Sequence, residues 1–76
     1  MGMMIKRGNE IIRINPTNRQ KLEVSSNGGS FWTTRFSGSQ VGDFLDLTDN
    51  GKEILAQTTK GLYVSTNGGS FWSKRN

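Results

Sequence analysis

The sequence predicts an all-β protein made of two four-stranded antiparallel repeat units. Three observations lead to this fold class. Apolar residues make up only 32% of the chain and there are ten glycines, a composition typical of short strands joined by tight turns. No window places apolar residues at helical spacing over eleven or more positions. Finally, a block of twelve residues near the middle of the chain returns, almost unchanged, near the end.

The repeated block reads VSSNGGSFWTTR at 24–35 and VSTNGGSFWSKR at 64–75. A second match, GNEII against GKEIL, precedes it, and the offset between copies falls from 43 to 40 between the two matches. The first copy therefore carries three extra residues, which we place in the polar, proline-containing stretch 15–20. The sequence predicts a single domain, 1–76, composed of repeats at about 1–40 and 41–76.

Each repeat offers four strands separated by turn signals. The strands predicted in the first repeat are Met3–Lys6, Glu10–Ile14, Lys21–Ser25 and Phe31–Phe36. Those predicted in the second repeat are Phe44–Thr48, Glu53–Thr58, Leu62–Ser65 and Phe71–Lys74. Glycine- and asparagine-containing turns lie between them. Four short strands in about 40 residues is the size of one propeller blade.

Apolar residues in these strands come in adjacent pairs, such as Ile11-Ile12, Ile54-Leu55 and Phe71-Trp72. Neighbouring strand residues point to opposite faces of a sheet. We therefore expect sheets that are covered on both faces, as blades between other blades are, or two sheets packed face to face.

The octets Ser25–Trp32 and Ser65–Trp72 resemble the Asp-box, or bacterial neuraminidase repeat, whose motif is Ser-x-Asp-x-Gly-x-x-Trp. That motif recurs in the propellers of sialidases, the sortilin family and photosystem II assembly factors. The structural positions that match in the two copies are Ser25, Gly29, Trp32, Ser65, Gly69 and Trp72. Asn27 and Asn67 stand where the motif has Asp. The resemblance implies a folding device in the hairpin between the third and fourth strands.

The residue types of the octet explain how it can form a tight hairpin turn. Asn-Gly-Gly can turn the chain tightly because glycine accepts positive φ. The Asn side-chain oxygen and the Ser hydroxyl can accept backbone N–H groups of their own turn. The Trp is then expected to close the base of the hairpin and to bury a large area. We interpret both octets as structural elements.

Two blades do not close a propeller, since stacked repeats generally need at least three units to bury a continuous core. We therefore expect homo-oligomers, with a trimer that forms a six-bladed ring as the favoured state. The alternative is a monomeric or dimeric eight-stranded sandwich or barrel.

The sequence argues against an enzyme. It has no His and no Cys, which removes the usual general base, nucleophile pairs and soft metal ligands. The catalytic set of sialidases is not recognisable, and Tyr63 is interpreted as a packing residue. Glu10 and Glu53 follow turns at equivalent positions, and Asp43, Asp46 and Asp49 are interpreted as part of a solvated turn. We predict no catalytic residue, no metal and no cofactor.

Three function classes follow. The first is a binding or assembly module, with carbohydrate as a candidate ligand and Arg13, Arg35 and Lys74 as candidate contacts. The second is a structural or interaction protein of phage or prophage origin with no small ligand. The third is weak nucleic-acid binding by the first repeat, where residues 1–40 hold all of the net charge of +4. The Phe-Trp pair recurs in the neutral second repeat, which argues against this third class.

No stretch approaches the roughly 20 apolar residues that span a bilayer, and the start is too short for a signal-peptide apolar region. The expected location is therefore the cytoplasm or a phage particle, with no membrane partner. Met1, Met3 and Met4 are all candidate start residues.

Overall fold

A computed structural model describes residues 3–75 and confirms the predicted fold class. These residues form two four-stranded antiparallel sheets and no helix. The first sheet contains β1 (Met4–Arg7), β2 (Glu10–Ile14), β3 (Lys21–Ser25) and β4 (Thr33–Ser37). The second contains β5 (Phe44–Asp49), β6 (Ile54–Thr58), β7 (Gly61–Ser65) and β8 (Ser73–Lys74). None of the described residues belongs to a helix long and apolar enough to cross a bilayer.

Each repeat folds into its own meander. Strand order follows chain order in both sheets, so each strand pairs with its neighbours in sequence. Short turns make this possible: Arg7 pairs with Glu10 across Gly8-Asn9, and Gly8 adopts a φ of 62°. The extra residues of the first repeat lie in the loop between β2 and β3, where the Asn15 side chain accepts the backbone N–H groups of Thr17 and Asn18.

The fourth strand of each repeat is shorter than the sequence predicts. β4 begins at Thr33 and β8 at Ser73, so the Phe-Trp pairs belong to the preceding loops. The reason is local. The N–H of Phe31 donates to Asn27 Oδ1 at 3.1 Å, which keeps this residue in the octet loop instead of the ladder.

One apolar core lies between the two sheets. Phe44 is fully buried at its centre and makes edge contacts with Phe36 and Trp72, at ring-centroid distances of 5.9 Å and 5.5 Å. Tyr63 is buried in the same cluster, as expected for a packing residue. The buried members are Ile12, Ile14, Leu22, Val41, Phe44, Leu47, Ile54, Ala56, Tyr63 and Trp72.

The first repeat covers the core with one face of its sheet, which we call the leading face. Strand register places Ile12 opposite Val24 and Ile14 opposite Leu22, so these four side chains share that face. Its members are Ile5, Ile12, Ile14, Leu22, Val24 and Phe36, and all of them belong to the core or pack against it.

The second repeat covers the core with the opposite face of its sheet, the trailing face. Leu47 pairs with Ala56, and Ala56 pairs with Tyr63. Alignment of the repeats makes these residues the counterparts of Met4, Arg13 and Glu23, which lie opposite one another on the face of the first sheet that is turned away from Ile12. The two sheets therefore stack in the same sense, leading face on trailing face.

Within residues 3–75, this stacking leaves one face of each sheet without a neighbouring sheet. The trailing face of the first repeat and the leading face of the second repeat are open. Two-sided coverage, predicted from the paired apolar residues, is therefore absent within the described residues of one chain. One member of each pair is less buried than the other: Ile11 and Leu55 are half-buried, and Phe31 and Phe71 are each 67% exposed.

Candidate functional site: the octet loops and the open sheet faces

The two octet loops share three hydrogen bonds, made by the Ser hydroxyl and the Asn side-chain oxygen. In the first, Ser25 Oγ donates to Asn27 Oδ1 at 2.8 Å and accepts the N–H of Gly29 at 2.9 Å. In the second, Ser65 Oγ donates to Asn67 Oδ1 at 2.9 Å and accepts the N–H of Gly69 at 2.9 Å. The side-chain to backbone bonds predicted for Ser and Asn are present in both copies.

Glycine is required at both central positions of each loop. Gly28 and Gly29 adopt φ values of 79° and 96°, and Gly68 and Gly69 adopt 81° and 96°. A side chain is strained at such angles. The loops are thus two copies of one rigid structure, and any difference in their burial comes from what surrounds them.

The surroundings differ because the first repeat covers the second loop. Arg35 Nη1 donates to the carbonyl oxygen of Gly68 at 2.6 Å. A Cβ placed on Gly69 would lie 3.7 Å from Arg35 Cγ and 3.9 Å from Ile12 Cδ1. Gly68 is half-buried and Gly69 is buried, whereas their counterparts Gly28 and Gly29 are exposed and half-buried.

Each repeat contains an arginine–glutamate pair beside its fourth strand. Arg35 Nη2 lies 2.9 Å from Glu10 Oε2, and Arg75 Nη2 lies 2.9 Å from Glu53 Oε2. The two glutamates, which the sequence marks as equivalent, therefore have the same structural role. The Arg35 side chain is 18% exposed and the Arg75 side chain 47% exposed, because only the former lies against a neighbouring repeat.

A cavity of about 250 Å³ lies beside the first octet loop. Arg35 contributes a guanidinium to it, Asn27 an amide, and Phe31 an exposed ring. The lining residues are Glu10, Val24, Ser26, Asn27, Phe31, Thr33 and Arg35. The arrangement of hydrogen-bonding groups around one aromatic ring suits a small polar ligand.

The open trailing face of the first repeat is charged but internally paired. Arg13 donates from Nε to Glu23 Oε1 at 2.9 Å, and its guanidinium carbon lies 4.0 Å from the centroid of the Trp32 ring. Lys21 Nζ lies 3.8 Å from the other oxygen of Glu23. The face therefore presents a planar guanidinium stacked on an indole, and it keeps a net positive charge because Arg13 and Lys21 share one carboxylate.

The open leading face of the second repeat is mainly apolar. Leu55 pairs with Val64, and Gln57 pairs with Leu62. Leu55, Leu62 and Val64 are the counterparts of Ile12, Leu22 and Val24, which in the first repeat pack on the core. All three are half-buried here.

The candidate contacts named from the sequence lie in three different places. Arg35 lines the cavity, Arg13 lies on the open trailing face, and Lys74 is exposed on the short strand β8. Arg75 was not predicted from the sequence as a contact. It is the last residue of the second copy of the twelve-residue block, as Arg35 is of the first copy. That shared position, together with the matching glutamates, is a signal that was present in the sequence.

The prediction of a solvated acidic turn is wrong for Asp46 and Asp49, which lie in strand β5, and only Asp43 precedes that strand. Asp49 Oδ2 lies 3.4 Å from Arg7 Nε, and Asp43 Oδ1 accepts from the Gln20 side chain at 3.4 Å. Within residues 3–75, no three His, Cys, Asp or Glu side chains lie close enough together to hold a metal ion.

Comparisons of the chain with protein-family models, with curated proteins and with solved structures give no match. The resemblance to the Asp-box thus rests on the two octets and stays a prediction.

Proposed function

We propose that this protein is a non-enzymatic assembly module whose copies associate head to tail. In this arrangement the open leading face of the second repeat of one copy packs on the open trailing face of the first repeat of the next copy. The association reproduces between chains the joint that already connects the two repeats within a chain.

A single observation carries the proposal. Ile12 and Val24 cover the second repeat, whereas their counterparts Leu55 and Val64 lie on a face that no other sheet covers within residues 3–75. Burial of apolar surface contributes roughly 25 cal/mol per Å², so such a face favours a partner of matching shape. Within the chain, the leading face of the first repeat packs on the trailing face of the second, and the first repeat presents the equivalent trailing face to a second copy.

The polar residues of the two open faces suit this pairing. Gln57 replaces the Ile14 of the intramolecular joint, and Arg13 and Glu23 replace Ala56 and Tyr63. Both sides of the joint between copies have thus exchanged apolar for polar groups. A joint of this composition is wetter than the core and suits reversible association.

The two open faces differ, so the interface is heterologous and must either close into a ring or extend into a filament. Three copies would supply six blades, a number compatible with propeller closure. We propose this trimer as the closed form. Its mass would be about 25 kDa, three times that of the 8.4 kDa chain.

Light scattering on a sizing column, over a hundredfold range of concentration, tests the proposal. We expect wild-type protein to approach about 25 kDa as concentration rises, and Leu55→Glu to remain at the mass of one chain. Lys52→Ala, in the exposed turn between β5 and β6, lowers the net charge by the same amount and serves as the control. A wild-type chain that stays monomeric at all concentrations would overturn the proposal.

Carbohydrate binding is a second candidate, favoured by the cavity beside the first octet loop. Phe31 offers an aromatic ring for stacking against a sugar, and Arg35 and Asn27 offer groups for its hydroxyls. An array of neutral and acidic glycans tests this candidate. We expect a retained glycan to be lost with Phe31→Ala and kept with Phe71→Ala, since the two rings are equally exposed. Equal loss with both variants would contradict a role for the cavity.

Nucleic-acid binding has less support from the structure. Of the aromatic residues in 31–36, Phe36 packs against the core and Trp32 is covered on one side by Arg13. Only Phe31 presents a largely exposed ring. A steep fall in DNA affinity with added salt would be needed to retain this class.

A further inference from the structure

The joint between the two repeats contains a polar clamp beside its apolar core. Arg35 binds Glu10 through Nη2 and the carbonyl oxygen of Gly68 through Nη1. One guanidinium thereby connects the second strand of the first repeat to the octet loop of the second repeat. Hydrogen bonds from a charged donor are roughly twice as strong as neutral ones.

At the other end of the molecule, the arginine and the glutamate of such a clamp lie together, but the glycine carbonyl acceptor is not beside them. Arg75 lies against Glu53 at the distance found between Arg35 and Glu10, 2.9 Å in each pair. The counterpart of Gly68 is Gly28, whose loop shares the Ser hydroxyl and Asn side-chain hydrogen bonds and has nearly the same φ values. Arg75 and Gly28 belong to opposite ends of the two-repeat stack, so one chain cannot join them.

We infer that Arg75 of one copy donates a hydrogen bond to the Gly28 carbonyl oxygen of a second copy, with Glu53 holding the guanidinium in place. This inference rests on the proposed head-to-tail association and names the residues that complete its joint. It assigns the exposed first octet loop a role as the acceptor for a neighbouring chain.

We expect the clamp to supply a larger share of the polar contacts at the joint between copies than at the joint within one chain. Inside the chain, the Arg7–Asp49 ion pair also bridges the two repeats. The counterparts of these residues are Asn50 and Lys6, which cannot form an ion pair with each other. Since that second bridge is missing, the orientation of one copy on the next depends more strongly on Arg75.

The first test compares Arg75→Ala with Lys74→Ala in sedimentation equilibrium. Both variants remove one positive charge from adjacent exposed positions, but only the first removes the clamp. We expect Arg75→Ala to weaken association about tenfold, or about 1.4 kcal/mol, and Lys74→Ala to change it less than twofold. Equal weakening by the two variants would show a charge effect and overturn the clamp.

A second test gives the direction of the contact. Dilute ¹⁵N-labelled chains are mixed with an excess of unlabelled chains, and the amide signals of Gly28 and Gly29 are followed by NMR. Labelled Arg75→Ala mixed with unlabelled wild type should show shifted signals, because its own octet loop is intact. Labelled wild type mixed with unlabelled Arg75→Ala should show at least tenfold weaker binding at these signals.

The outcomes separate the two proposals. If the wild type keeps the mass of one chain at every concentration, head-to-tail association itself is wrong. If the mass rises but the glycine signals respond equally to wild-type and Arg75→Ala partners, association stands and the clamp is wrong. Circular dichroism of each variant confirms that it remains folded, because Arg75 lies outside the buried core.

Discussion

The two repeats share nearly the same octet, yet the octet residues have different environments. Trp72 is 7% exposed, donates from Nε1 to the carbonyl oxygen of Gly69 at 2.9 Å, and contacts Phe44. Trp32, in the same motif, is only half-buried and carries the Arg13 guanidinium on one face. The difference teaches that the octet determines the hairpin, whereas residues outside the octet, such as Phe44 and Arg13, determine how the Trp is covered.

Two other positions of the trailing face also differ between the two repeats, and each is apolar only in the repeat where the other sheet covers it. Where the second repeat has Ala56 and Tyr63 in the core, the first has Arg13 and Glu23. A small and a large apolar residue are thus exchanged for an ion pair at two adjacent, cross-strand positions. The predictions below test this contrast at equivalent positions of the two repeats.

The largest contrast is expected at the two tryptophans. Trp72→Ala should lower the free energy of unfolding by about 3–5 kcal/mol, because it removes a buried side chain next to Phe44. Trp32→Ala should cost less than half as much. Urea denaturation followed by circular dichroism, at a concentration where the chain is monomeric, measures both. Equal losses would mean that the trailing face of the first repeat is also covered.

A second contrast concerns the leading faces. Ile12→Ala should cost about 2–4 kcal/mol of stability, since Ile12 is fully buried between the sheets. Leu55→Ala, at the equivalent position, should cost about 1 kcal/mol in the monomer and should weaken self-association. The same denaturation series at low and high protein concentration separates these effects. A concentration-independent loss for Leu55→Ala would contradict an interface on that face.

The octet serines provide a smaller contrast. Ser65→Ala removes a buried hydroxyl that accepts the Gly69 N–H and should destabilise the chain by about 1–2 kcal/mol. Ser25→Ala removes an equally buried hydroxyl, but the Gly29 N–H that it accepts is only half-buried, so this change should cost about 1 kcal/mol. Amide hydrogen exchange at Gly69 and Gly29 reports the local effect. A larger loss at Ser25 would reverse the ranking of the two loops.

The smallest effect is expected at Arg13. Arg13→Ala removes the stacking on Trp32 and the pairing with Glu23, both at a partly exposed site, and should cost about 0.5–1 kcal/mol. Thermal unfolding monitored by circular dichroism measures the loss. A loss as large as that of Trp72→Ala would contradict the ranking.

Local patterns in the sequence predicted much of this fold. Turn residues with positive φ, such as Gly28 and Gly68, and the strands beside them depend on interactions only a few positions apart. The sense in which the sheets stack was not predicted, because it depends on which face of each strand meets the other sheet. The pairs Arg35–Glu10 and Arg75–Glu53 were also missed, because they join residues more than 20 positions apart in the sequence.

The unlike open faces have a consequence for mixtures of variants. A copy that carries Leu55→Glu keeps an intact trailing face, so under head-to-tail association it can still receive a neighbour but cannot offer a surface to the next copy. Such a copy acts as a chain terminator. A minor fraction of it would leave closed rings incomplete or filaments short, and its inhibition would be dominant. Growth of the assembly would also have a fixed polarity, with two chemically distinct ends.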